Sequence, residues 1–371
     1  MKIYGGRMVL LRAFVNNNFG DDLFISIICK RYPNTKFVMF GLKKYRDSFT
    51  GIQNLKYIVL DSIPMKMIHK IFSLIKRDYD LVAREIPFIN FCSGLFEQSV
   101  FITGSYFAEA SDWTKIMDYK WYKKHPHIIG CNFGPWKSER YLEEYRRCFA
   151  LAAEVSFRDQ FSFNLFKEMP NVRYAPDIIF GIEKGQITDN GYYIISVVNP
   201  LKDDYLNRDN SIVEKYIQKM ASICNYLSTL GKKVYIVSFC EEQGDNMIAS
   251  RIMENCDNID LVKNITYGNN YNIDYMIKLF RECHMVIASR FHAMIMAIRF
   301  QKYVIPIIYN NKMTTVLNDI NFAGDFFAIE NIEELCLENV MKEEYICPME
   351  MIDQIAEKSL NHFCELDKIL N

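Results

Sequence analysis

Ser289, Arg290 and His292 bring an anion-binding group and a proton-transfer group within four residues of each other. An arginine holds a carboxylate or phosphate by paired hydrogen bonds, and a histidine moves a proton near neutral pH. Cys283-His284-Met285-Val286, just before them, is a short apolar run that predicts a buried strand. Just after them, Met294, Ile295, Ala297 and Ile298 have the spacing of one helix face. The polar residues therefore fall on a strand-to-helix turn. In an open α/β sheet such a turn lies at the carboxyl end of a strand, where ligands bind, and a helix N-terminus adds spare N–H groups. The same residues also read as an N-capping serine, a surface arginine and a packed histidine, and the local sequence does not choose between the two.

Other strand ends carry polar residues too. Asn16-Asn17-Asn18-Phe19-Gly20-Asp21-Asp22 separates a strand, Met8 to Phe14, from a helix, Leu23 to Arg31. Asp21 or Asp22 reads as the cap of that helix. The functional alternative has Asn18 and one aspartate binding a hydroxyl-rich ligand, with Gly20 allowing close backbone approach. Two acids disfavour phosphate here, and this is no dinucleotide fingerprint. Ser99–Ile102 runs into Thr103-Gly104-Ser105-Tyr106-Phe107, and Val155-Ser156-Phe157 into Arg158 and Asp159. The last two residues read equally as a surface pair or as groups facing a ligand. Trp113, Trp121 and Trp136, with tyrosines and lysines among them, suit either stacking on sugar rings or plain core packing.

The elements that must hold these turns alternate throughout. Strands are expected at Lys36–Leu42, Leu55–Leu60, His127–Pro135 and Val172–Ala175, with helices at Ser138–Ala152 and through Leu165. A polar, glycine-containing stretch, Glu183–Asn190, reads as a linker. Beyond it come strands at Tyr192–Val198, Lys233–Phe239, Ile259–Val262 and Tyr303–Ile308, and helices at Ser211–Leu230, up to Glu254, Ile273–Arg281, Met313–Asp319 and Met351–Leu370. Alternation in both halves predicts two Rossmann-like α/β domains with parallel sheets. The expected division is 1–182, 191–345 and a C-terminal helix in 346–371, with a ligand cleft between the domains.

Composition narrows the function classes. The chain of 371 residues is 50% hydrophobic and 24% charged, enough to bury sizeable cores. A formal net charge of -1 argues against a dedicated nucleic-acid binder. The 11 cysteines are scattered without CxxC pairs, which fits reduced thiols and opposes a disulfide framework or a zinc site. No signal-peptide layout or membrane-length apolar run is present, so a cytoplasmic location is expected. A helix between Pro64 and Arg77 carries Lys66, Lys70, Lys76 and Arg77 beside apolar positions. It reads as a helix packed on the sheet, or as an interfacial helix touching the inner face of the cell membrane.

Taken in order, these turns resemble the polysaccharide pyruvyl transferase family. The matching segments are Asn18–Asp22, Thr103–Phe107, Gly134-Pro135, Ser156–Asp159 with Ser162, Ala175-Pro176-Asp177, Ser289–Ala293, and Pro306 with Tyr309 and Lys312. They span roughly residues 10 to 320. The sequence departs at 103–105, where the family usually has consecutive glycines, and at Phe291, where leucine is frequent. The resemblance implies a GT-B-like two-domain fold and transfer of the enolpyruvyl group of phosphoenolpyruvate onto two hydroxyls of a glycan, forming a pyruvate ketal. It implies that Arg290 and His292 contact phosphoenolpyruvate, with Arg158 assisting.

The residues suit that chemistry. His292 is the acid candidate, Arg290, Arg158 and Lys312 stabilise anionic charge, and Asp21 or Asp22 orients or deprotonates an acceptor hydroxyl. Ser289, Asn18, Gly104 and Tyr309 complete the expected substrate-binding set. No metal or resident cofactor is expected, phosphoenolpyruvate being a co-substrate. The expected partner is a sugar or lipid-linked oligosaccharide, and the oligomeric state is not legible. Two alternatives stand beside this reading: a GT-B glycosyltransferase using a nucleotide sugar, and a non-catalytic glycan-binding protein.

Overall fold

A computed structural model describes residues 8–68, 95–111, 113–117, 119–202, 208–342 and 345–371. They fall into two compact units. Unit 1 takes the described residues up to Val15, Asp21–Ile178 and Leu360–Asn371, and unit 2 takes Asn16–Gly20 and Ile179–Ser359. The chain therefore passes between units more often than the single linker at 183–190 suggests. The short turn at 16–20 leaves its flanking strand and helix and groups with the second unit.

Unit 1 holds a seven-stranded sheet. Its strands are β1 (Met8–Ala13), β2 (Lys36–Gly41), β3 (Leu55–Val59), β4 (Gln98–Ile102), β5 (His127–Cys131), β6 (Glu154–Phe157) and β7 (Val172–Tyr174). All pairings are parallel, in the order β3-β2-β1-β4-β5-β6-β7. Unit 2 has a six-stranded sheet, β10-β9-β8-β11-β12-β13, again parallel. Its strands are β8 (Tyr193–Val197), β9 (Val234–Ser238), β10 (Val262–Thr266), β11 (Met285–Ala288), β12 (Tyr303–Ile308) and β13 (Phe327–Ala328). In each sheet the chain winds outward both ways from a central pair, β1/β4 and β8/β11. A crevice opens beyond the carboxyl ends of such a pair.

Local chemistry explains the elements. β8 and β11 are buried along their whole length, the mark of strands covered on both faces. The helix Asn210–Thr229 lays Tyr216, Met220 and Cys224 against Ile195, Ile236 and Ile287. Unit 1 has an aromatic core instead. Phe133 meets Phe166 edge-on at 4.9 Å, Phe107 meets Phe149 at 5.1 Å, and Trp121 is buried among them rather than displayed. Ser138 caps the helix Glu139–Phe149 by accepting from the Tyr141 N–H at 3.3 Å.

Several expectations need correction. The strand placed at Ile259–Val262 is β10, which begins at Val262: Ile259 is exposed, while Val262 and Ile265 face the core. The first helix is Phe19–Arg31, so Asp21 and Asp22 lie in its first turn rather than at its cap. Asn18 stands before it and accepts from the Gly20 N–H at 3.1 Å. The final helix is interrupted: Met349–Ser359 ends in a 3-10 turn, Leu360–Phe363, before Cys364–Leu370. The basic helix expected at 64–77, with its membrane contact, lies largely outside the described residues. Among the described residues, no helix is long and apolar enough to cross a membrane. The described cysteines are free thiols, most of them buried.

The interruption at 360 has a cause in unit 1. His362 is fully buried there, its Nδ1 2.6 Å from Ser156 Oγ and its Nε2 2.9 Å from Pro176 O. A carbonyl only accepts, so Nε2 carries the proton and Nδ1 accepts from the serine hydroxyl. Burial pushes the imidazole down to about 3 against the pull of the Pro176 carbonyl, with Arg158 adding to the depression. Farther along, Asp367 accepts from Arg31 Nε at 2.9 Å and Tyr32 OH at 2.7 Å, which ties the C-terminal helix to the first.

A histidine held neutral in the fold but free to protonate when unfolded, near 6.5, stabilises fully above 6.5. That stability drains as pH falls toward 3, because the unfolded chain binds the extra proton. Between pH 7 and pH 5 the loss from His362 is about 2 kcal/mol. Urea midpoints at pH 7, 6 and 5 should fall accordingly, and His362→Gln should flatten that dependence; an equally steep curve in the variant refutes this source.

Candidate functional site

In unit 2 the site is built on the carboxyl ends of β9, β8 and β11, three adjacent strands. The Ser289 N–H continues the ladder past β11 by donating to Ser196 O at 3.0 Å. Ser289 does not cap the following helix. Its Oγ lies 2.7 Å from Tyr216 OH, both groups fully buried, so the hydroxyl anchors the turn to the helix behind the sheet. Arg290 takes the N-cap position in extended conformation and releases the helix Phe291–Arg299.

Arg290 is not a surface arginine. Its guanidinium is buried and grips Asp245 with Nε (2.7 Å to Oδ2) and Nη2, while Nη1 donates to Gln243 Oε1. Asp245 opens the helix Asp245–Glu254 beyond β9 and also accepts the N–H groups of Phe239 (3.3 Å) and Cys240 (3.1 Å). Burial alone would lower the pKa of Arg290, but the Asp245 carboxylate overrides it and holds the pKa well above the ordinary arginine value. The cation is thus permanent and its plane fixed. These bonds use three of the five guanidinium N–H groups. The loop 240–245 reads from sequence only as a loop. Its one signal, an acid opening a helix after a glycine in left-handed conformation (Gly244, φ 80), is the ordinary mark of a helix start.

His292 follows two positions on, half-buried, its ring edge-on to Phe291 at 5.1 Å. Gly20 packs against it. A Cβ added at Gly20 would stand 1.6 Å from His292 Nδ1, so no side chain fits there without displacing the imidazole. The 16–20 turn reaches this place by docking on unit 2. Asn18 forms an antiparallel bridge with Cys240, and the Phe19 N–H donates to Phe239 O at 3.0 Å. The Phe19 ring meets Phe239 at 4.9 Å and Tyr267 at 5.3 Å. Beyond β12, Arg208 donates to Tyr309 O at 2.6 Å, and Lys312 sits half-buried in the first turn of the helix Asn311–Asp319. Ser196 Oγ, Ser238 Oγ and Asn310 Oδ1 are buried at strand ends of this unit and make no hydrogen bond among the described residues.

Unit 1 carries a second fixed arginine. Arg158, buried at the end of β6, reaches Asp177 Oδ2 (3.0 Å), Ser105 Oγ (3.0 Å) and Asn132 Oδ1 (2.9 Å). Asp159, next to it, caps the helix Gln160–Phe166 by accepting from the Ser162 N–H at 2.7 Å. Both residues are buried, so neither is a surface group. A Cβ on Gly104 would come within 3.0 Å of Arg158 Nη1, so the small residue clears the guanidinium. Where consecutive glycines are usual, Ser105 supplies a bond to that arginine instead. Asp22 is fully buried in the first turn of its helix, and Asp21 is half-buried. Among the described residues, no cluster of histidine, cysteine or acidic side chains is arranged to hold a metal ion.

The polysaccharide pyruvyl transferase family model matches residues 8–311. No curated protein matches the chain. Among solved structures, the Anabaena protein HepE in complex with UDP and glucose aligns at 10% identity over 98% of this chain and 99% of that one, with a TM-score of 0.55. The N-terminal domain of Candida albicans trehalose-6-phosphate phosphatase aligns at 10% identity over 100% and 97%, with a TM-score of 0.54. Trehalose-6-phosphate synthase OtsA aligns at 9% identity over 98% of each chain, also at 0.54. At such identities the likeness concerns the fold, two parallel-sheet α/β units of the GT-B kind.

Removing one partner of a buried ion pair strands the other. Asp245→Ala should therefore cost about 3–5 kcal/mol in urea unfolding, and Asp245→Asn less, since it keeps part of the hydrogen bonding. A loss below about 1 kcal/mol in the alanine variant would show that Arg290 is not held as described.

Proposed function

The chain belongs to the polysaccharide pyruvyl transferase family, and from that premise we propose that it moves the enolpyruvyl group of phosphoenolpyruvate onto two hydroxyls of a glycan or glycan precursor. The product is a pyruvate ketal, and phosphate is released. One observation carries the reading: a permanently charged, fixed guanidinium stands two residues from a histidine whose position is set by Gly20.

The chemistry assigns roles to these groups. The N–H groups of Arg290 that Asp245 and Gln243 do not take suit a carboxylate or phosphate. Protonation of the methylene carbon turns it into a methyl group and leaves C2 electron-poor. One acceptor hydroxyl adds to C2, and a second then displaces phosphate, which leaves with its bonding pair. One of the two hydroxyl protons balances the proton gained at carbon, and the other departs with phosphate or solvent. His292 supplies the proton, and Lys312 with the Tyr309 turn supports the anionic end of the donor. Ser289 serves by fixing the turn. Of the two aspartates, Asp21 is the base candidate, because Asp22 is fully buried. Asn18 has its carbonyl oxygen engaged by Gly20 and offers its amide as a donor. The acceptor, a sugar or a lipid-linked oligosaccharide, is assigned to unit 1, where Arg158 and Gly104 line the strand ends.

Incubation with phosphoenolpyruvate and a glycan acceptor should release phosphate and yield an acid-labile ketal. His292→Gln should lower kcat by about 10²–10⁴-fold with a smaller change in the KM for phosphoenolpyruvate. Gly20→Ala, which pushes the same imidazole aside, should approach that loss. Thermal stabilisation by a nucleotide sugar and not by phosphoenolpyruvate would favour the glycosyltransferase alternative.

A further inference from the structure

Two turns of unit 1 are bonded into one surface. Residues 132–138 follow β5 and residues 158–162 follow β6. The Phe133 N–H donates to Ser162 Oγ at 2.8 Å, and Arg158 Nη2 donates to Asn132 Oδ1 at 2.9 Å. On this surface Trp136 and Phe161 lie side by side, ring centroids 6.0 Å apart and planes 34° apart. Phe161 is 55% exposed and Trp136 half-buried.

The pair is held in place rather than left loose. Trp136 packs its inner side on Phe133 at 5.6 Å and on Gly134, where a Cβ would come within 3.1 Å of the indole. Glu109 staples the loop: it accepts from the N–H groups of Lys137 and Ser138 (2.8 Å to the latter), and its own N–H donates to Pro135 O at 2.9 Å. An exposed phenylalanine forgoes part of the roughly 1.5–3 kcal/mol that burying it would gain.

Size and neighbourhood indicate the occupant. Two rings present a patch far below the roughly 800 Å² per partner of a standard protein interface. A ring sandwiched between them would need two contact layers of about 3.5–4 Å each, more than 6.0 Å allows, so ligand must lie across them. Exposed Lys137 follows Trp136 in the chain and can meet a hydroxyl. We propose that Trp136 and Phe161 form a stacking platform for a pyranose ring of the acceptor glycan, beside the Arg158 turn with which they share a hydrogen-bonded loop pair. The proposal rests on the reading that unit 1 takes the acceptor.

The test separates the two. The full-length protein, without phosphoenolpyruvate, is titrated with lactose, cellobiose and chitobiose while tryptophan emission and binding heat are followed. At least one sugar should give a saturable signal. Trp136→Ala should abolish it, and Phe161→Ser, at an exposed position that the fold tolerates, should weaken binding about tenfold. Where turnover is measurable, both variants should raise the KM for acceptor by about tenfold, with the KM for phosphoenolpyruvate and kcat nearly unchanged. Sugar binding through Trp136 without any pyruvyl transfer would uphold the platform and remove the proposed reaction. Transfer with acceptor KM within twofold of wild type in both variants would overturn the platform and leave the reaction standing. Absence of both sugar binding and a KM effect overturns it as well.

Discussion

The Asp245–Arg290 pair organises unit 2. A guanidinium taken out of water is tolerable only beside a carboxylate with good geometry and with its remaining lone pairs filled. Here the carboxylate also accepts the Phe239 and Cys240 N–H groups, so the end of β9, the start of the helix at 245 and the turn after β11 share one hydrogen-bonded centre. Behind it, Ser289 locks the same turn to Tyr216. The result is a cation whose position is already settled, so the ligand proposed for it would bind without the cost of ordering that side chain.

The 16–20 turn depends on that centre. It docks on Phe239 and Cys240, the residues whose N–H groups Asp245 holds. Phe19 fills an aromatic slot between Phe239 and Tyr267, and Gly20 is then carried against His292. The absence of a side chain at Gly20 is thus a steric requirement of the histidine, and the conformational freedom of glycine plays no part in it.

Unit 1 solves the same problem with different parts. Arg158 is held by Asp177 and by the neutral oxygens of Ser105 and Asn132, which fix its plane. The bonds that fix it also join the two turns bearing Trp136 and Phe161. Two residues before Arg158, on β6, Ser156 meets the neutral His362, which ties the end of the chain to the same sheet.

Local rules were enough for much of this. Apolar runs broken by turns at regular intervals made two parallel α/β halves legible, because strand and helix periodicities are set by neighbours in the chain. The ordered polar turns located Arg290, His292, Arg158 and Gly20 at strand ends. Partners were another matter. That Arg290 belongs to Asp245 and Arg158 to Asp177 follows from strand order, and that His292 meets Gly20 follows from the docking of the 16–20 turn; sequence spacing encodes neither. β9 and β11 flank β8 only once the sheet is assembled. The start of β10, the break at 360 and the docking of the 16–20 turn were decided there too, since each trades a local preference for burial against residues far along the chain. The sequence alone determined which residues could carry chemistry at the strand ends; tertiary structure decided which are fixed, which are buried and what each one holds.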